Sequence, residues 1–275
     1  MTVAAGLRPG LTGLGATTAD AFLGGRVEAL QPAAGRHRAG LEAVLLAASV
    51  PQDIEGTVVD LGAGTGVAGL CIAARCRDVS LVLVERDRFA VECARAALEL
   101  EANRGFSGRV EVIETDIVTR VGLADGMAAA AVFNPPFYRE SAASASPSPA
   151  RAEAHMLGDG GLAPWFRAAA GLVEPGGTVT AVFLADGLDQ VIDAAKGRFG
   201  ALDILPIAPR KGMTAHRILV RGVKGSRAPL RIFPQLVLHQ DRGNRFKPEI
   251  EAILRDGAGL DEVVPSWRRG GARVR

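Results

Sequence analysis

Apolar residues along the chain fall in short blocks, set apart by glycine, proline and charged residues. Runs rich in Val, Leu, Ile and Ala near 57–61, 79–85, 109–114, 129–133 and 176–184 read as strands, with a final pair near 202–208 and 215–222. Between them, residues near 66–76, 87–104, 162–173 and 187–199 carry helical character. This alternation predicts βαβ units, hence an α/β fold. Asp87 is a candidate N-cap, and Asn103-Arg-Gly105 marks that helix's end. Glu174-Pro-Gly-Gly177 reads as a turn that stops one helix and releases the fifth strand.

The flanks are less regular. Residues 1–20 are expected to be poorly ordered, 22–35 to form a short hairpin, and 43–48 a helix that Pro51 ends. Beyond 222 come a strand candidate at 236–239 and a helix from 248 to 255. The tail after Gly257, ending Trp267-Arg-Arg-Gly-Gly-Ala-Arg-Val-Arg275, is expected to be disordered. The stretch 139–150 (RESAASASPSPA) is too polar and small for core and reads as a lid or substrate-contacting loop. The expected division is an N-terminal extension with the first helix (1–50), a central domain (51–222) and a basic C-terminal extension (223–275).

Length and composition narrow the class. A chain of 275 residues can bury a substantial core as one α/β domain with extensions. No apolar run is long enough to span a bilayer, and no signal-peptide pattern opens the chain. The three cysteines, Cys71, Cys76 and Cys93, lack C-x-x-C spacing and read as packed thiols in a reducing cytoplasm. The net charge of +2 hides a segregation: residues 51–203 carry 13 basic against 21 acidic side chains, residues 204–275 carry 15 against 6. An acidic core joined to a basic end suits a polyanion-binding enzyme, or a solvated face with a basic tail.

Candidate chemistry centres on Thr57-Val-Val-Asp-Leu-Gly-Ala-Gly-Thr-Gly66, a strand running into a glycine-rich turn and a helix. Glycines admit a ligand that a Cβ would exclude, and the helix N-terminus offers free N–H groups. Gly64-Thr-Gly-Val-Ala-Gly69 also fits the weak dinucleotide pattern. The second strand, Val79-Ser-Leu-Val-Leu-Val-Glu85, ends in an acid placed to hold a ribose, of NAD or of S-adenosylmethionine. The third feature, Ala131-Val-Phe-Asn-Pro-Pro-Phe137, has no role in dinucleotide binding.

Asp60-Leu-Gly-Ala-Gly-Thr-Gly66, Glu85, Thr115-Asp116 and Asn134-Pro-Pro-Phe137, in that order, resemble a class I S-adenosylmethionine-dependent methyltransferase of the N-P-P-[YF] type, over roughly residues 36–222. The resemblance implies a seven-stranded Rossmann-like sheet, mostly parallel with one antiparallel strand and helices on both faces. It implies S-adenosylmethionine as cofactor. Asp60 is then expected at the methionine ammonium, the alternative being a cap on the following helix. Gly62, Gly64 and Gly66 would lie against the amino-acid end, and an acid-flanked loop suits a sulfonium better than a phosphate. Glu85 would accept from the ribose hydroxyls, the alternative being an N-cap or surface acid. Asp116 would accept from the adenine amine, and the Ile117 N–H would donate to the ring.

Asn134, Pro135, Pro136 and Phe137 would carry the transfer. An amine conjugated to a ring or carbonyl is a poor nucleophile. Acceptors at the Asn134 amide oxygen and the Pro135 carbonyl localise its lone pair, and the paired prolines hold them in place. Phe137 offers a ring on which a flipped base can stack. His155 and His216 are read as structural or substrate-contacting, and no metal is expected.

Arg36-His-Arg-Ala-Gly-Leu-Glu-Ala-Val-Leu-Leu46 and Ala215-His-Arg-Ile-Leu-Val220 narrow the resemblance to bacterial tRNA (adenine-N6) methyltransferases, which modify the adenosine beside the anticodon of a valine tRNA. That likeness implies Arg38 and Gly40 near the cofactor and tRNA as substrate; the charge balance of the basic end adds the expectation that Arg210, Lys211, Arg217, Arg221, Lys224, Arg227 and Arg231 contact its phosphates. The chain departs from the family in having Phe137 for the common tyrosine and in a longer basic end. Three alternatives share the motif or fold: protein-glutamine N5-methylation, DNA adenine methylation, and RNA binding without catalysis. The first usually needs a helical domain ahead of the sheet, and the second a separate target-reading domain.

Overall fold

The computed structural model describes residues 16–136 and 161–268. Phe137, the 139–150 stretch and His155 lie outside them. The central strands are β3 (Gly56–Leu61), β4 (Val79–Glu85), β5 (Val110–Glu114), β6 (Ala128–Phe133), β7 (Val173–Leu184), β8 (Phe199–Ala208) and β9 (Arg217–Lys224). Their spatial order is β8-β9-β7-β6-β3-β4-β5. The strands from β3 to β7 are parallel, and β9 runs antiparallel between β7 and β8. This is the expected Rossmann-like arrangement, with one addition. Two two-residue strands, β10 (Arg231–Ile232) and β11 (Leu236–Val237), pair with the outer side of β8. The basic segment thus covers a sheet edge whose N–H and C=O groups would otherwise be open to another chain.

Each strand sends alternate residues to two cores. Val58, Leu81, Ala130, Val132 and Leu205 face one, while Val59, Val82, Ala131, Phe133 and Ile204 face the other. That is why the strands read as unbroken apolar runs: both faces are covered. Helices α1 (Leu41–Ala48), α2 (Val67–Arg75) and α3 (Arg88–Leu98) contribute to the first face, α4 (Ala163–Leu172) and α5 (Leu188–Ala195) to the second. The expected cap at Asp87 is present, its carboxylate accepting from the Ala90 N–H at 2.9 Å. Glu174-Pro-Gly-Gly177 is not a separating turn. It lies inside β7, where the register against β6 slips between Val173 and Thr178. All three cysteines are buried free thiols, and burial pushes Cys71 up to about 12 and Cys93 to about 11.

The flanks are more ordered than their composition predicts. Strands β1 (Thr17–Phe22) and β2 (Val27–Pro32) form a hairpin that begins within the stretch expected to be poorly ordered. Its Leu23, Val27 and Ala29 join the first core. At the other end, α6 (Pro248–Glu251), a π-helical turn over 252–256 and α7 (Leu260–Val263) bury Ile250, Ile253 and Leu260. Trp267, in the tail expected to be disordered, is 1% exposed. It packs edge-on to Phe233 at 5.4 Å, and the Arg221 guanidinium lies 4.3 Å from its ring centroid. Arg221 also donates to the Trp267 carbonyl and pairs with buried Asp203 at 3.0 Å. Among the described residues no helix is long and apolar enough to cross a membrane.

Candidate active site

The strand order reverses direction at β3, with β4 on one side and β6 on the other. In such a sheet the crevice opens at the carboxyl ends of those strands. The glycine loop leaves the end of β3, Glu85 ends β4, and Asn134 follows β6. Because Leu61 pairs with Phe133, Gly62 and Asn134 emerge side by side.

The loop's backbone explains its glycines. Gly62, Gly64 and Gly66 all have positive φ (+62°, +56° and +85°), a region that penalises a Cβ. At Gly66 a Cβ would also strike Leu83, whereas at Gly64 no described residue lies within 4 Å of one, so among the described residues the loop presents bare main chain to open space. Gly64 donates its N–H to Glu85 Oε2 at 2.9 Å, and the Arg86 and Asp87 N–H groups donate to Glu85 Oε1, each at 2.8 Å. Asp116 Oδ1 accepts from the Val118 N–H at 2.7 Å, while Oδ2 pairs with Arg86 at 3.2 Å. Asp60 is 2% exposed and accepts from the Gly69 N–H of α2 at 3.0 Å, the contact of the helix-capping alternative. Burial pushes its carboxyl up to about 7; the Gly69 bond opposes that and the nearby Glu85 charge adds to it.

Arg38 is engaged elsewhere. It donates to Thr18 Oγ1 at 2.9 Å and to the Pro32 carbonyl, and pairs with Asp20, so it fastens the hairpin to the chain before α1. Gly40 is the exposed residue ahead of α1. Their segment still reaches the end of β4: Arg36 pairs with Asp87 at 2.8 Å and lies 4.6 Å from the Phe89 ring centroid.

Asn134 carries the least satisfied group of the set. Its Oδ1 is buried and has no hydrogen-bond partner among the described residues. An orphaned buried acceptor costs about 1–3 kcal/mol, and such a group beside an open crevice points to a donor that arrives with a ligand. Pro135 is buried and Pro136 half-buried behind it.

Sequence matching assigns residues 38–161 to the family described as methyltransferase small domain. A solved structure described as a predicted O-methyltransferase from Agrobacterium tumefaciens superposes with a TM-score of 0.68 at 33% identity, covering 80% of this chain and 98% of that one. The chain is a class I S-adenosylmethionine-dependent methyltransferase. Two curated relatives are named tRNA1(Val) (adenine(37)-N6)-methyltransferase. The one from Bacteroides fragilis is 27% identical over 186 residues, 66% of this chain and 76% of its own. The one from Cronobacter sakazakii is 33% identical over 112 residues, 40% of this chain and 44% of its own.

The residues of this methyltransferase fit its cofactor. Glu85 accepts three main-chain N–H groups, and a carboxylate has about four lone-pair sites, so it retains acceptor capacity toward the crevice. Those same bonds fix its direction. The open space at Gly64 adjoins it. Composition gave no pointer to Trp165, on the first turn of α4. Its indole covers Gly62, where a Cβ would lie 2.4 Å from it, and stands 5.7 Å from the Phe133 ring, one residue before Asn134. In a chain with 5% aromatic residues and two tryptophans, one half-exposed beside Pro164 at a helix start was the available signal.

Proposed function

We propose that this methyltransferase transfers a methyl group to an exocyclic amine, namely N6 of an adenosine in tRNA. The observation that carries the reading is the buried, unpartnered Asn134 Oδ1 beside Gly62. An NH₂ group supplies two donors, and Asn134 Oδ1 with the Pro135 carbonyl supplies two acceptors. Accepting from both N–H bonds draws the nitrogen out of conjugation and turns its lone pair toward the crevice. S-adenosylmethionine supplies an electrophilic methyl group on a sulfonium. With that cofactor held against Glu85 and the glycine loop, the amine nitrogen would take the methyl from sulfur, the sulfur leaving as a neutral thioether, and would give up one proton to water. The chain needs no covalent intermediate and no base; its contribution is alignment and fixed dipoles. Phe137 is assigned to stacking on the target base.

The substrate class draws support from the two tRNA-modifying relatives and from the basic end. With tRNA as substrate, the compartment of action is the bacterial cytoplasm.

Nucleoside mass spectrometry tests the reading. Bulk tRNA from a deletion strain should lack one N6-methyladenosine that wild-type protein restores in vitro. Asn134→Ala should lower that rate by about 10²-fold or more while cofactor affinity holds. Methyl incorporation into protein with none into tRNA would overturn the proposal.

A further inference from the structure

The seven basic residues that lie close in sequence after 209 do not form one surface. Arg221 is buried under Trp267, and Arg231 pairs with Asp203 at 2.8 Å. Lys224 donates to the Val173 carbonyl at 2.6 Å, at the amino edge of the sheet. Arg227 is exposed at that same edge, where the Ala201 N–H bonds the Ala228 carbonyl.

A different set collects at the carboxyl edge. Strand β8 runs antiparallel to β9, hence in the same direction as β6 and β7. The turn after β8 therefore emerges at the same edge of the sheet as Asn134, as does the segment after β11, which is parallel to β8. His239 bridges to Phe246 and closes that segment into a hairpin. The two pieces are braced together: Arg210 donates to the Gly243 carbonyl at 2.7 Å, and the His239 N–H to the Pro209 carbonyl at 2.9 Å. On this braced arm Lys211, Arg242 and Arg245 are exposed, with Lys247 half-buried. Between turn and hairpin lies an open cavity of about 350 Å³ lined by Lys211, Gln240, Asp241, Lys247, Pro248 and Glu249; Lys247 there pairs with Glu249 at 3.6 Å, so the cations left for phosphate are Lys211, Arg242 and Arg245. Strand β8 stands three positions from β6, about 14 Å at the usual strand spacing. Stacked nucleotides rise about 3.4 Å each, so the distance corresponds to roughly four nucleotides.

The geometry points to this arm, residues 209–216 with 238–247, as the surface that grips the phosphates flanking the target adenosine. The inference rests on tRNA being the substrate. It assigns the polyanion to one edge of the sheet and removes Lys224, Arg227 and Arg231 from the interface.

The test is a filter-binding titration of tRNA at several salt concentrations, using the full chain. The arm variant is Lys211→Ala with Arg242→Ala and Arg245→Ala, three exposed side chains whose loss leaves the Arg210 brace intact. The control is Lys196→Ala with Arg227→Ala, exposed at the opposite edge. Three lost single-strand phosphate contacts should make the slope of log K against log salt shallower by about 2. The control should match wild type, and S-adenosylmethionine affinity should be unchanged in both. Equal slopes for wild type and the arm variant, with tRNA still bound and methylated, would discard the arm alone. A loss confined to the opposite-edge variant would also overturn it. Absence of any tRNA binding by wild type would remove the substrate assignment along with the arm.

Discussion

The two ends of one sheet edge differ in charge and in how that charge is held. Around β4 and β5, Glu85, Asp87 and Asp116 dominate, each fixed by main-chain N–H groups or by Arg36 and Arg86. Around β8 and β11, Lys211, Arg242 and Arg245 stand exposed on a turn and a hairpin. The first arrangement is held in place before any ligand arrives, as would suit acceptors for the hydroxyls and amine of a nucleoside. The second is a set of exposed cations, which serves a backbone of regularly spaced charges better than it serves one small molecule. Asn134 lies between them, where the strand order turns. A single edge can therefore hold a cationic donor and a polyanionic acceptor a few strands apart.

Four perturbations probe that division. The largest effect should come from a cation in the basic half that has nothing to do with ligand. Arg221→Met leaves Asp203, 1% exposed, with one fewer partner, and should cost about 3–5 kcal/mol in urea unfolding. A cost below about 1 kcal/mol would mean that Arg231 alone satisfies Asp203. Next, Glu85→Ala should weaken S-adenosylmethionine binding by about 1.5–3 kcal/mol in calorimetry, with tRNA affinity unaltered. Equal losses for both ligands would erase the distinction between the halves.

Trp165 lies on the boundary. If its indole walls the acceptor side, Trp165→Ala should weaken RNA substrate by about 1–3 kcal/mol, the value of one base–aromatic stack, and Trp165→Phe should recover most of it. A loss in cofactor affinity instead would move Trp165 to the acidic half. The smallest effect is a pH dependence. Asp60 is buried with its carboxyl near 7, so it is largely neutral at pH 6 and becomes charged as pH rises. A cationic ligand group favours the charged form, hence cofactor affinity should rise about fivefold between pH 6 and pH 7 and level off above. For the free protein the sign is opposite. A raised folded value means stability falls as pH climbs from about 4 to 7, and Asp60→Asn should flatten both trends. A pH-independent affinity in the wild type would leave Asp60 as a helix cap and no more.

The sheet was legible because strands covered on both faces are written as unbroken runs of Val, Leu and Ala, and because Asp87 and the glycine loop have local signatures. Glu85 and Asn134 could be placed because each ends a strand. Legibility stopped where contacts become non-local. Nothing near Trp267 announces that Arg221, 46 residues earlier, will cover its ring. Arg38 reads as a site residue until Asp20 and Thr18 take up its guanidinium. The basic run misled for a related reason: β9 crosses the whole sheet, so Arg217 and Lys224 end on opposite edges although seven positions apart. Charge counted along the chain is not charge counted on a surface.

The N-terminal hairpin and the C-terminal turns cover the same face of the sheet, with the Arg255 carbonyl packed over Gly24. During synthesis at roughly 5–20 residues per second, the hairpin therefore waits on the order of 10–50 s for the segment that covers it. Throughout that interval the apolar underside around Leu23, Val27 and Ile72 lacks its last layer. Trp267 is the last of these buried side chains to be synthesised. Until then the nascent chain is exposed to chaperones and to self-association, and a product truncated ahead of Trp267 would carry a half-clad sheet.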